Sequence, residues 1–275
     1  MKLSFHIQLP NIKTAVADLF IEISPQGLSY AILHNGFCKA FVVYHFESNV
    51  SNEQTVNNIH QVLKDQPVLQ EQFNKVYIIY GYALFLLVPQ QFINEAPGTD
   101  MLELLHGAPN ETVSKTDVLP ERSLHNLYSV PASVDQAVNR YFGAASFTHL
   151  FSLLPGLAKG EKNNSIYCVF SSGHLKIMLV KQGRLQVMQS YTYKTPEDVA
   201  YYLLNLCKSF EIAQSDIAVR LSGMIDENSP LYTELYKYFL QLEFDQLPAQ
   251  YQYPPEINQY PQHYFSHLFA IASCV

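Results

Sequence analysis

The sequence predicts a mixed α/β protein of two similar lobes with an inserted subdomain, and three observations carry that reading. LFIEISPQGLSYAILHNGFCKAFVVYHF, residues 19–46, alternates apolar runs with tight-turn residues, the pattern of a three-stranded antiparallel ribbon. YCVFSSGHLKIMLVKQGRLQVMQSY, residues 167–191, has the same form. Each ribbon is followed by a helical stretch and then an apolar strand, so each half builds a mixed sheet backed by helices.

In the first half, a strand runs over Asp18–Ile23. SPQG makes its turn, with Pro25 restricting the backbone and Gly27 relaxing it. The next strand, Leu28–Leu33, leads into Asn35-Gly36, a strong two-residue hairpin signal because both positions tolerate positive φ. A third strand covers Cys38–Phe46. A helix over about Glu53–Lys64 follows, capped by Ser51 or Asn52, with Val56, Ile59, Val62 and Leu63 at helical spacing. KVYIIY, residues 75–80, is a buried strand, and ALFLLVP is another.

The second half repeats this order. Ile166–Phe170 is a strand, Ser171-Ser172-Gly173 a turn, His174–Val180 a strand, Gln182-Gly183 a hairpin turn and Leu185–Tyr193 a strand. Thr195 caps the following helix, Pro196 takes its first position, and Glu197 and Asp198 favour its positive end. Val199, Tyr202, Leu203 and Leu206 form its apolar stripe. DIAVRLSG, residues 216–223, is the next strand, and Ser229-Pro230 opens a helix to about Phe239. Gly36 pairs with Gly183 and Gly27 with Gly173, at offsets of 147 and 146 residues.

The first lobe is therefore expected over residues 1–160, with its inserted subdomain at about 96–160, and the second over 161–275. The insertion mixes a short helical patch with Pro, Gly and polar residues. YSVPASVDQAVNRYF, residues 128–142, reads as a strand end, Pro131 and a helix capped near Ser133. AKGEKNNS, residues 158–165, is the polar boundary. Four prolines, Pro248, Pro254, Pro255 and Pro261, keep the tail extended until a final helix near His263–Ala272.

Composition narrows the function. A net charge of -7, with 17 Lys plus Arg and no basic run, argues against a nucleic-acid surface, which needs a positive patch. The hydrophobic fraction of 48% fits a folded protein. The N-terminal stretch lacks the apolar core of a signal peptide, and the most apolar window, residues 76–89, is too short to span a bilayer. Cys38, Cys168, Cys207 and Cys274 form no C-x-x-C pair and read as reduced, mostly buried thiols. A cytoplasmic location follows.

Chemistry-bearing patterns are few. His263 and His267 share a helical spacing but lack the Glu of a zinc protease motif. Ser171-Ser172 with His174 has no acidic orienter nearby in sequence. There is no G-x-S-x-G elbow and no G-x-x-x-x-G-K-[ST] loop. YQYPPEINQYPQHYF, Tyr251–Phe265, combines extended proline backbone with tyrosines, a composition suited to a protein partner or to a segment laid over its own surface.

Three short stretches carry a family resemblance: Glu22-Ile23-Ser24-Pro25-Gln26-Gly27, Val169-Phe170-Ser171-Ser172-Gly173-His174 and Leu221-Ser222-Gly223-Met224. With the repeated ribbon–helix–strand order, the chain resembles a bacterial family of unknown function assigned an actin-like ATPase (ribonuclease H-like) fold. More distantly it resembles the actin-related proteins of type IV pilus assembly and type II secretion. The resemblance implies an ATP and Mg²⁺ site between the lobes. It would draw on Glu22, Ser24, Ser171, Ser172, Gly173 and Gly223. Active members place Asp-x-Gly at the first hairpin and Asp-x-Gly-Gly-Gly-Thr at the second, so that backbone N–H groups approach phosphate and carboxylates orient Mg²⁺. Here Glu22 replaces the first Asp, Ser24 a glycine and Pro25 an N–H donor; Val169 replaces the second Asp, and single glycines remain at Gly173 and Gly223. The expectation is a non-catalytic pseudo-ATPase with no cofactor, acting as an assembly scaffold on a protein partner. The alternative is a nucleotide-binding enzyme that uses serine hydroxyls in place of the lost glycines.

Overall fold

In a computed structural model that describes residues 1–47, 50–93, 98–107 and 111–274, the chain divides into two units. Met1–Leu153 with Gln250–Glu256 form the first, and Leu154–Ala249 with Ile257–Val275 the second.

The first unit opens with strand β1 (Lys2–Gln8), then β2 (Asp18–Ser24), β3 (Gly27–His34) and β4 (Phe37–His45). Asn35 and Gly36 take φ of 49° and 77°, the two positive values that a tight hairpin between right-twisted strands requires. Helix α1 (Asn52–Asp65) begins at Ser51 with a full capping box: the Ser51 hydroxyl accepts from Gln54 N–H, and the Gln54 side chain accepts from Ser51 N–H. β5 (Lys75–Tyr80) then runs parallel to β2.

An insertion follows. It consists of β6 (Phe85–Pro89), α2 (Gly98–His106), β7 (Thr112–Leu119) and β8 (Leu124–Pro131), with an antiparallel sheet in the order β6-β8-β7. Its small core is Val88, Leu102 and Leu127. The chain returns through α3 (Ala132–Phe142), β9 (Ser146–His149) and α4 (Leu150–Leu153), giving a six-stranded sheet in the order β1-β4-β3-β2-β5-β9. The insertion thus begins its sheet at Phe85 and ends it at Pro131; α3 and β9 belong to the main sheet. The expected start near residue 96 lies outside the described residues.

The second unit holds β10 (Ser165–Ser171), β11 (His174–Lys181), β12 (Arg184–Thr192), α5 (Pro196–Ser209), β13 (Ala218–Gly223), α6 (Pro230–Tyr236), β14 (Leu242–Phe244) and α7 (Ser266–Ala272). Its sheet order, β12-β11-β10-β13-β14, is the order β4-β3-β2-β5-β9 of the first unit. The repeat is exact in the ribbon. β10, β11 and β12 start and stop 147 residues after β2, β3 and β4, and both ribbons shift register at the same place, Ile32/Leu33 and Leu179/Val180. The parallel pairs also match, Asp18 opposite Lys75 and Ser165 opposite Ala218. α5 carries its own capping box, Thr195 with Asp198. Its buried face, Val199, Leu203 and Leu206, packs on Ile166, Cys168, Phe170, Val219 and Leu221.

Several expectations are corrected. The boundary falls at Leu153/Leu154, not 160/161, because the turn Leu154–Ala158 packs with α7; a Cβ on Gly156 would lie 2.4 Å from Cys274 Sγ. With a uniform offset of 147, Gly27 corresponds to His174 and Gln26 to Gly173. Gly27 has no positive φ; it is needed because a Cβ there would sit 2.1 Å from Tyr44 O. α3 has no side-chain cap, and Ala132 N–H instead donates to Glu111 O at 2.8 Å. The last helix begins at Ser266, so His263 precedes it in a 3-10 turn. Cys38, Cys168 and Cys207 are buried thiols, while Cys274 is exposed.

Candidate functional site

In the first unit, Glu22 lies buried near the end of β2, opposite Ser29 on β3 and Ile79 on β5. Ser24 closes the hairpin opposite Gly27, and its hydroxyl accepts from Gln26 N–H at 3.3 Å. The turn therefore uses its own serine, and Pro25 offers no N–H.

In the second unit, Ser171 closes the equivalent hairpin opposite His174 and donates to His174 O at 3.5 Å. Ser172 is exposed at the tip. Gly173 takes φ of 66° and accepts from Tyr193 N–H at 2.9 Å. Gly223 ends β13 beside this turn. Its φ is 80°, and a Cβ there would lie 2.1 Å from Phe170 O. Ser171, Ser172, Gly173 and Gly223 thus gather at one end of the adjacent parallel strands β10 and β13. Glu22 and Ser24 occupy the same end of β2, beside β5.

The two hairpins differ where metal chemistry would need them alike. Val169 is the counterpart of Glu22 and is 5% exposed. Its neighbours across the sheet are Lys176 and Ser222, the counterparts of Ser29 and Ile79. Lys176 is itself buried. The second strand end thus offers an apolar side chain beside an ammonium where an Mg²⁺ site needs carboxylate, so this donor set does not fit the ion.

The other patterns resolve structurally. Ser222 Oγ lies 2.8 Å from Ser266 Oγ and donates to His263 O at 3.1 Å, binding the tail to β13. His263 donates from Nε2 to Ile225 O at 2.7 Å and stacks on Phe244; burial lowers its pKa. Its contact with Ser171–His174 chemistry is nil in sequence terms, since Ser171 meets the His174 carbonyl. Among the described residues no group of three His, Cys, Asp or Glu is placed to hold a metal ion.

The Tyr251–Phe265 segment is spent largely on its own protein. Gln252 exchanges backbone hydrogen bonds with Gly36 O at 2.7 Å and Cys38 N–H at 2.8 Å. Pro254, Ile257, His263 and Phe265 are buried, and of its tyrosines only Tyr260 is exposed. Large exposed side chains lie instead on and after the α5–α6 pair, at Tyr201, Tyr236, Tyr238 and Leu240. Among the described residues no helix is long and apolar enough to cross a membrane.

Sequence reasoning missed one buried polar cluster. Asp117 on β7 accepts from Thr148 Oγ1, His149 N–H and Ser152 Oγ at 2.6–2.8 Å, and Asn126 on β8 reaches both Ser152 and the buried His149 ring. It locks the insertion to β9 and α4.

Solved structures share this architecture across nearly the whole chain. A Bacteroides thetaiotaomicron protein with actin-like ATPase fold and unknown function matches at a TM-score of 0.80 and 18% identity, covering 96% of this chain and 98% of that one. The PilM–PilN type IV pilus biogenesis complex matches at 0.62 and 13%, covering 96% and 97%. The ethanolamine utilization protein EutJ from Carboxydothermus hydrogenoformans matches at 0.53 and 8%, covering 98% and 93%. No curated protein gives a significant match. The chain has the actin-like ATPase fold, and with residues 8–242 matched by the family model it belongs to the family described as "Protein of unknown function (DUF3822)".

Proposed function

We propose that this chain is a non-catalytic member of the actin-like ATPase fold, a cytoplasmic assembly scaffold that works by binding another protein. The observation that carries the reading is the loss of the second acidic position: Val169, buried beside Lys176, stands where Glu22 stands in the first unit. A site with one carboxylate, a proline at the first turn and hydroxyls engaged in their own turns lacks the charge and the close backbone approach that hydrolysis of a Mg²⁺-nucleotide uses. The exposed Tyr201, Tyr236 and Leu240, 65%, 62% and 77% accessible, supply the apolar and aromatic area that protein interfaces favour. The likeness to a structure of PilM in complex with PilN supports the same kind of role.

The test is a thermal-shift titration with ATP, ADP and AMP, each with and without Mg²⁺. A ligand at a hundredfold its Kd adds about 2.7 kcal/mol, a rise of several degrees for a chain of this size. The expected result is no Mg²⁺-dependent rise at millimolar nucleotide. A clear rise that Glu22→Gln abolishes would overturn the reading.

A further inference from the structure

The second unit carries a pocket at the end of its sheet opposite the Ser171–Gly173 turn. Ser165 and Ala218, the first residues of β10 and β13, form its floor, and the length of β10 separates it from Ser171 by about 20 Å. Its volume is about 450 Å³, within the ~300–1,000 Å³ range of small-molecule sites. Such sites are mostly apolar. Here every lining side chain except Ala218 is polar or charged.

Its walls are set before any ligand arrives. Glu161 accepts from Lys162 N–H and Asn163 N–H, both at 3.0 Å, and pairs with Arg220 at 3.2 Å. Asn164 donates to Asp216 O and accepts from Gln182 N–H, each at 3.1 Å. Arg220 lies over the Tyr167 ring and faces Glu243 at 3.7 Å. Rigid walls reduce the ordering cost of binding.

Two buried polar atoms on the lining remain without a hydrogen bond: Arg220 Nε, and Ser165 Oγ on a side chain 1% exposed. Ser165 Oγ lies near Glu161 but makes no hydrogen bond of normal geometry. Orphaned buried polar groups are uncommon and costly. The partner they call for must accept from a guanidinium N–H and stand among carboxylates that only accept. A hydroxyl does both at once, accepting from Arg220 and donating to Glu243 or Glu161. A lone anion would meet Glu161, Asp216 and Glu243, and a lone cation would meet Lys162 and Arg220. The geometry points to a binding site for a neutral, hydroxyl-rich ligand, a small saccharide. The side-chain amides of Asn163 and Gln182 complete it, since planar amides bind vicinal hydroxyls with donor and acceptor together.

The test uses the full chain. Glucose, galactose, N-acetylglucosamine, maltose and cellobiose are titrated by NMR or calorimetry to tens of millimolar, with inorganic phosphate and ethylamine as charged controls. At least one saccharide is expected to bind, with phosphate and ethylamine inert. Asn163→Ala and Gln182→Asn, the latter keeping a residue that tolerates the positive φ at this turn, are expected to weaken binding at least fivefold. Ser165→Ala separates binding from folding: it removes an unsatisfied group, so the melting temperature holds or rises while affinity falls. Failure of all five sugars to bind, binding of phosphate or ethylamine alone, or saccharide binding unchanged in all three variants would overturn the assignment. None of these outcomes bears on the nucleotide test.

Discussion

Gly223 shows how a single residue holds the second unit's strand ends together. Its φ of 80° and the 2.1 Å approach of a Cβ to Phe170 O exclude any side chain. Gly223→Ala is expected to destabilise by about 2–4 kcal/mol in urea unfolding, with Gly160→Ala, at φ 85° but with open space around it, costing about 1 kcal/mol. Asp245 provides a pH handle. Burial raises its pKa to about 6, against a lowering by Arg220 and with a smaller push from Glu243. Because the folded state then binds the proton more tightly, this group's contribution falls as pH climbs from about 4 to about 6. Its cost above that window is on the order of 2 kcal/mol. His263, with its pKa lowered by burial, acts in the opposite sense, losing stability as pH falls below 6.5. Subtracting the stability–pH curve of Asp245→Asn from that of the native protein should isolate the first effect. A flat difference between pH 4 and 6 would refute it.

At the scale of elements, α1 and α5 are matched 14-residue helices, each opened by a capping box. Ser51→Ala and Thr195→Ala should each cost about 1 kcal/mol in chemical denaturation, because two N–H groups lose their acceptors at each helix start. Both caps were legible because capping is local chemistry, spelled within four residues. β7 was not legible. Its inward side chains, Lys115 and Asp117, are charged, and Val118 faces outward at 62% exposure, so the apolar alternation of a half-buried strand is reversed. The charges are tolerated because Lys115 pairs with Asp135 at 3.0 Å and Asp117 takes its donors from β9 and α4. Asp117→Ala should therefore cost about 3 kcal/mol, more than a surface substitution, with the loss of hydrogen-exchange protection centred on β7–β9. An effect under 0.5 kcal/mol would mean that the cluster contributes nothing net.

At the scale of the whole molecule, the chain leaves the second unit at Ala249, joins the first through Gln250–Glu256, and returns. Gln252 pairs beside Phe37 where β1 no longer covers β4. Gln252→Pro removes the N–H that donates to Gly36 O. The expected outcome is about 1–2 kcal/mol of destabilisation, with hydrogen exchange rising at the β3–β4 hairpin, more than 200 residues away in sequence. Exchange confined to the tail itself would show that the strap carries no load for the first unit.

Read from the sequence alone, this protein already has its two ribbons, their hairpins, the helices behind them and the departures at Pro25, Val169 and the missing glycines. Turn chemistry, strand alternation and helix caps are short-range, so residues a few positions apart decide them. The tertiary structure decided the 147-residue register that sets Glu22 against Val169, the Asp117 cluster, the home of the tail and the polar pocket at Ser165 and Arg220. Those depend on which strands become neighbours, and side chains 15 to 60 residues apart meet only after the sheet has been assembled.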